Sequence, residues 1–237
     1  MKKIAILQSN YIPWKGYFDL INMVDEFVLY DDMQYTRRDW RNRNKIKTPQ
    51  GLQWLTIPVE IKGKFFQKIN ETKVSEKDWG KKHWQSILRN YSKAKYFKDY
   101  KNIFEELYLA CEEEYLSQIN YKFIITINEI LGIKTKLSWS SEFELVDGQT
   151  EKLLGICKDC HADIYLSGPA AKDYFNEDLA KQENIKVEWM DYSGYKEYEQ
   201  LNPPFEHGVS ILDLIFNEGQ NTRSFMKSFK QEKDKNG

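Results

Sequence analysis

The sequence predicts an α/β fold: a mostly parallel sheet with a helical insertion. Two short apolar runs, Lys2 to Leu7 and Glu26 to Tyr30, bracket a segment with helical spacing. That is the β–loop–α–β opening of a layered α/β protein. From about Lys77 to Leu131 apolar residues recur at helical intervals, too long a stretch to be one crossover helix. Beyond it, short strand-like runs again alternate with helix-like ones.

The elements follow in order. Lys2 to Leu7 reads as a buried first strand, Asn10 to Gly16 as a loop, and Tyr17 to Met23 as a helix whose apolar side carries Phe18, Leu20 and Ile21. Glu26 to Tyr30 is the second strand, with Asp31-Asp32 at its C-terminal end. Gln53 to Val59 is a strand whose Pro58 favours a sheet edge or a strand end. Lys73 to Ser75 is a candidate for one more. Trp84, Ile87, Leu88 and Tyr91, then Ile103, Phe104, Leu107, Tyr108 and Cys111, then Phe123, Ile124, Ile127 and Leu131 keep helical spacing, with Gly132 as a C-cap. Lys136 to Trp139, Ile164 to Leu166 and Val187 to Met190 read as strands, and Thr150 to Cys160 and Tyr174 to Gln182 as helices. A last helix spans Ser210 to Phe216, with Ser210 as N-cap and Asp213 placed for a capping box. No repeat or low-complexity linker interrupts the chain. One domain over residues 1–237 is therefore expected, with a helical insertion at about 77–131 and a polar tail, 228–237, that frays.

Bulk properties exclude several classes. The formal net charge of −1 gives no general attraction to nucleic acid or membranes. No apolar run reaches membrane-spanning length, and Ile4 to Leu7 is too short for a signal peptide's apolar region, so a cytoplasmic protein is expected. Three cysteines in 237 residues make no disulfide framework. Aromatic residues reach 15%, which suits both a packed core and a sugar- or nucleotide-lined pocket.

Several constellations are candidates for chemistry. Asn10 to Tyr17 hands the first strand to the first helix, where free backbone N–H groups attract phosphate and Gly16 allows close approach; the alternative is a plain turn. Asp31 and Asp32 end a strand on the sheet edge that ligands favour; such a pair could bind a metal or act as a base, with Asp32 the candidate base, and the alternative is that one caps the next turn while the other faces water. Arg37 to Lys47 holds six basic residues and one acid, with Trp40 among them. Arg forks there suit a diphosphate, that of a nucleotide sugar or of a carrier's phosphopantetheine, better than a nucleic acid; the alternative is a solvated basic hairpin. Arg41, Asn42, Arg43 and Asn44 are its candidate binding residues. His83, beside Trp84 at a helix start, is the candidate general base, since its ordinary pKa lies near neutrality. Cys157-Lys158-Asp159-Cys160-His161 spells CxxCH, but it lies on a predicted helix and lacks both an export signal and further ligands, so neither haem nor zinc is expected. Ser167 and Gly168 end a strand and could line a pocket. His207-Gly208 could offer another phosphate-binding helix start.

Two resemblances sharpen this reading. The opening IPWKGYFDLINMVDEFVLYDD resembles that of the nucleotidylyltransferase superfamily, implying a Rossmann-like, nucleotidylyltransferase-like sheet. Its (H/T)xGH motif, however, is here Trp14-Lys15-Gly16-Tyr17, with both phosphate-handling positions replaced. The chain more closely resembles the WbqC-like family through Gln8 to Asp19, Asp31-Asp32-Met33-Gln34-Tyr35 and Trp40 to Ile46. The likeness continues in His83-Trp84, Asn90-Tyr91, Tyr165-Leu166-Ser167-Gly168 and Ser210 to Leu214. The Asp159 to Asp163 stretch departs from the family pattern. The resemblance implies a place in bacterial surface-polysaccharide (O-antigen) biosynthesis. The expected activity is acyl or aminoacyl transfer from a carrier thioester to a nucleotide-linked amino sugar, with an acyl carrier protein as partner and no metal or resident cofactor. The alternative is a non-catalytic nucleotide-sugar binding protein or an assembly partner. Gln8, Asn10, Tyr11, Trp14, Lys15, Gly16, Tyr17, Asp31, Gln34, Ser167 and Gly168 complete the expected substrate-binding set.

Overall fold

The computed structural model describes residues 1–229. Five parallel strands form the main sheet: β1 (Lys3–Leu7), β2 (Glu26–Leu29), β5 (Lys136–Trp139), β6 (Ile164–Ser167) and β7 (Lys186–Trp189). They stand in the order β5-β2-β1-β6-β7. The chain builds outward from β1 to one side, then returns to place β6 on the other side of β1. This is the doubly wound, Rossmann-like order, and its reversal falls between β1 and β6.

Side-chain alternation sorts the two faces. Ile4, Ile6 and Val28 pack with Leu153, Leu154, Ile156 and Cys157 of α5 (Gln149–Asp159) and with Ala180 of α6 (Glu177–Gln182). Ala5, Phe27 and Leu29 point the other way, onto α1 (Lys15–Asn22), α4 (Leu116–Leu131) and α7 (Ile211–Glu218). Strands covered on both faces read as continuous apolar runs, which is why β1 and β2 were visible in the sequence.

The segment between β2 and β5 carries the expected helices: α2 (Trp79–Tyr91), α3 (Phe97–Leu109) and α4. Gly132 caps α4 in the left-handed region at φ 69°. Most aromatic residues are core. Tyr91, Phe97 and Phe104 surround Phe216 of α7, with ring centroids 5.0 to 5.4 Å apart. The basic run Arg37 to Lys47 leads into β3 (Arg43–Thr48), which pairs antiparallel with β4 (Gly51–Thr56) as a separate hairpin. Lys73 to Ser75 makes only isolated bridges, from Lys73 to Tyr115 and from Val74 to Val59. Ser228, the start of the expected fraying tail, donates its backbone N–H to Asp19 at 2.8 Å, and residues 230–237 lie outside the described residues.

One ion-pair cluster ties together the N-terminal ends of the strands. The buried Glu26 carboxylate takes Lys2 and Lys136, each at 2.8 Å. Burial raises its pKa, but the hydrogen bonds from Lys136 and Lys2 prevail and hold it down at about 2. A carboxyl lowered in the fold stabilises it above the unfolded value, and that contribution is lost as pH falls from 4.5 toward 2. Urea denaturation across that window should show wild-type stability falling, and Glu26→Gln should flatten this part of the fall. An identical slope in both proteins would remove Glu26 from the account.

Candidate functional site

In a doubly wound sheet the crevice opens where the strand order reverses, beyond the C-terminal strand ends. Here a cleft of about 620 Å³ lies there. Leu7 and Gln8 at the end of β1 and Ser167 and Gly168 at the end of β6 line it; Tyr30, Tyr165 and Tyr174 supply aromatic surface, and Arg41 and Lys152 supply positive charge. The start of α5, Gly148 and Gln149, faces the same cleft. This helix begins on that edge because it follows a parallel strand, β5. Gly148 adopts φ 99°, and no side chain caps the helix. A Cβ on Gly148 would meet the Glu151 carboxylate at 2.2 Å, so that carboxylate folds back over the helix start. The positive charge at the cleft therefore comes from Arg41 and Lys152 rather than from the helix terminus.

A buried polar network sets the cleft wall. Ser9 donates its N–H and hydroxyl to the two Asp31 carboxylate oxygens at 2.8 and 2.6 Å. Asn120 of α4 donates to Ser9 Oγ and to the Arg41 carbonyl, both at 2.9 Å. Burial pushes the Asp31 carboxyl up to about 6, against the hydrogen bonds from Ser9 and the nearby Arg41 charge. With 1% exposure, Asp31 holds the loop after β1 and touches no ligand space. The Arg41 guanidinium, 13% exposed, leans on Asn10 Oδ1 and stands 3.7 Å from Asp39. Ser167 donates to the Tyr165 hydroxyl at 3.1 Å, and no base contacts it.

A second cleft of about 330 Å³ opens on the far side of the Arg41–Asn10 pair. It is lined by Asn10, Pro13, Trp14, Trp40, Asn44, His207 and Gly208. Its walls are mainly apolar. Asn44 is spent on its frame: its amide donates to the Tyr11 and Ile12 carbonyls at 3.2 and 2.9 Å.

Several expected site residues lie elsewhere. His83, the expected base, is a core residue packed among Tyr11, Trp79 and Tyr108. The Thr56 carbonyl, which only accepts, lies 3.1 Å from Nε2, so the ring proton sits there. Nδ1 then accepts from the Tyr11 hydroxyl at 2.8 Å, and the Tyr108 hydroxyl lies 2.9 Å from that of Tyr11. Burial lowers the His83 pKa to about 4, and it lines neither cleft. Asp32 is in the lining of neither cleft and is held by Ser140 at 2.7 Å, Lys68 at 3.2 Å and Asn70 at 3.3 Å.

Within the WKGY turn, Gly16 serves packing rather than phosphate approach: a Cβ there would meet the Trp14 indole at 2.3 Å. Lys15 turns inward, donating to the Lys196 carbonyl at 3.1 Å and lying over the Tyr195 and Tyr198 rings. Tyr11 and Tyr17 are buried, with the Tyr17 hydroxyl donating to the Gln8 carbonyl at 3.0 Å. Arg43 stacks on Trp54, 4.1 Å from its ring centre, and donates to the Arg38 carbonyl. Asn42 is buried and donates to the Ile57 carbonyl at 2.8 Å. Gln34 is exposed and donates to the Phe65 carbonyl, in a different surface cleft. The start of α7 is no anion site, because Ser210 and Ile211 donate their N–H groups to the Lys45 and Pro13 carbonyls, both at 2.9 Å. Asp213 makes no capping box and points into the core. Cys157 and Cys160 are buried, and among the described residues no group of His, Cys, Asp and Glu could hold a metal ion. Nor is any helix long and apolar enough to cross a membrane.

The structure thus brings together Gln8, Arg41, Ser167 and Gly168 around one cleft, and Asn10, Trp14 and Asn44 around the other. Lys152 and Gln149 had gone unread as site residues. The available signal was position: any helix that follows a parallel strand starts at the ligand edge.

Fold and clefts define a doubly wound, Rossmann-like α/β protein with an open crevice at its switch point. The chain matches the WbqC-like protein family over residues 8–225 and belongs to it. It is 50% identical over 231 residues to the uncharacterized protein Rv1507c of Mycobacterium tuberculosis (strain ATCC 25618 / H37Rv), covering 98% of this chain and 100% of that one. No solved structure gives a significant match.

Proposed function

We propose that this protein binds a nucleoside-diphosphate amino sugar in the switch-point cleft and acylates or aminoacylates its amine from a carrier thioester, in the cytoplasm, for surface-polysaccharide biosynthesis. The observation that carries the binding half is that Arg41 and Lys152 both line one cleft at the strand ends. Two cations and flanking aromatic surface match a diphosphate joined to a nucleobase. Tyr174, 51% exposed at the cleft, offers a face for stacking. Gln8 and the Ser167–Gly168 strand end supply hydrogen bonds in the same cleft. The diphosphate is assigned to Arg41 and Lys152, replacing the expected Arg41–Arg43 pair, because Arg43 is stacked on Trp54.

A second reading, binding without turnover, is favoured by one fact: among the described residues no Asp, Glu or His lines the switch-point cleft, and Asp31 is sequestered by Ser9. The two readings part on one experiment. dTDP-4-amino sugars incubated with acyl- or aminoacyl-carrier donors should give the amide by mass spectrometry under the first reading. Bound sugar with no amide from any donor supports the second.

Binding alone is tested by calorimetry with dTDP. Hydrogen bonds to charged groups contribute about 1.5–3 kcal/mol, so Arg41→Met and Lys152→Met should each weaken dTDP roughly tenfold or more. Unchanged affinity in both variants would place the nucleotide elsewhere.

A further inference from the structure

We propose that the Trp14–Trp40 cleft seats the amino-sugar ring and that His207 takes the proton from its amine. This rests on the nucleotide reading above and extends it to the reacting end of the ligand.

One hydrogen-bonded pair links the linings of the two clefts. Arg41 lines the switch-point cleft and donates to Asn10, which lines the aromatic one. A ligand whose diphosphate rests on Arg41 therefore has its next group at Asn10. The Asn10 amide carbonyl is used by Arg41, which leaves its NH₂ group as a donor for a sugar oxygen. Trp14 and Trp40 give the flat apolar faces that sugar C–H surfaces pack against. Trp14 is braced by Tyr192 and Tyr195, at 5.2 and 5.5 Å between ring centroids. Trp40 is braced by Trp54 at 5.4 Å.

The chain has three histidines. His83 is locked in the core, and His161 sits exposed after α5, beyond the opposite end of the sheet. His207 lines this cleft, where among the described residues it is the one titratable side chain in the lining. Its ring packs edge-on against Phe205, with centroids 4.6 Å apart. Lys15 from α1 and Glu197 and Glu206 from the preceding segment are the charged groups around it. Partial desolvation, then Lys15, lower its pKa, against the two glutamates, which favours the neutral ring that can accept a proton.

The step balances. The sugar amine attacks the thioester carbonyl and gives its proton to His207. The new C–N bond forms, the C–S bond breaks, and the departing thiolate recovers the proton from His207. The products are an amide and a free carrier thiol.

Trp40 and His207 are exposed, so their variants should fold. Calorimetry should show wild type binding a dTDP-4-amino sugar tighter than dTDP. Trp40→Ala should lose most of that gain, about tenfold, while binding dTDP as wild type does. His207→Ala should keep both affinities within about threefold, lower kcat about a hundredfold or more, and flatten the acidic limb of the kcat profile. A gain unchanged in Trp40→Ala, or wild-type kcat in His207→Ala, overturns the proposal. Normal sugar binding without turnover in wild type overturns the role of His207 and leaves the nucleotide reading standing. Failure of wild type to bind dTDP overturns the nucleotide reading. In that case tryptophan quenching by a methyl 4-amino-4,6-dideoxyglycoside decides the cleft: quenching abolished in Trp40→Ala supports it, and no quenching overturns it.

Discussion

Replacing Asp213 with alanine should cost this protein about 4 kcal/mol or more, since each buried donor left unpaired costs about 1–3 kcal/mol. The buried Asp213 carboxylate accepts from the Tyr91 hydroxyl at 2.8 Å, the Tyr198 hydroxyl at 2.7 Å and the Gln200 amide at 2.9 Å. Those donors come from α2 and from the segment after β7, so one side chain ties both to α7. Truncation leaves three buried donors without a partner. For a chain of this size the melting temperature should fall by roughly 10 °C. Burial raises the Asp213 pKa, against the hydrogen bonds from Tyr198, Tyr91 and Gln200, so the charge itself is a burden in the fold. Asp213→Asn removes the charge and keeps an acceptor, and should therefore cost much less than alanine. Thermal and urea denaturation of the two variants test this. Losses of equal size would show that the charge, not the set of acceptors, holds the site together.

The sheet was legible because its chemistry is local. Ile4 to Leu7 and Phe27 to Leu29 are apolar on both faces, as strands between two helical layers must be, and Gly132 ends α4 where a left-handed residue is needed. The strand order was not legible. No local pattern states that β6 lies beside β1, and that placement is what brings Ser167 near Gln8. The same limit explains the site residues. Arg41 and Arg43 look alike in sequence, yet Arg41 reaches the cleft and Arg43 lies on Trp54. Spacing pairs Asp213 with the N-cap Ser210 in a capping box, whereas its partners in the fold, Tyr91, Tyr198 and Gln200, lie on other segments, Tyr91 122 residues away. His83 did leave a trace. Trp79, His83, Ile87 and Tyr91 repeat every four residues and form the buried stripe of α2, which marks His83 as core.

That stripe sets the second large effect. His83→Ala should destabilise the fold by roughly 3–5 kcal/mol, the range for emptying a large aromatic core site. It also strips the Tyr11 hydroxyl of its acceptor. Loss of activity in that variant would therefore say nothing about catalysis. His83→Gln is the informative change, since a neutral amide can donate to the Thr56 carbonyl and accept from Tyr11. The pH dependence gives the decisive readout. The imidazole is held at about 4 in the fold against 6.5 when unfolded. Its contribution is present above 6.5 and is lost as pH falls through that window toward 4. At about 1.4 kcal/mol per unit, wild type should lose about 3 kcal/mol from this residue between pH 7 and 4. Asp31, raised to about 6, works in the opposite sense over part of the same range, so the quantity to measure is the difference between wild type and His83→Gln. That difference should grow as pH falls in favour of the glutamine variant. If the two urea-stability curves stay parallel from pH 7 to 4, His83 is not buried as a neutral ring, and its exclusion from proton transfer falls with it.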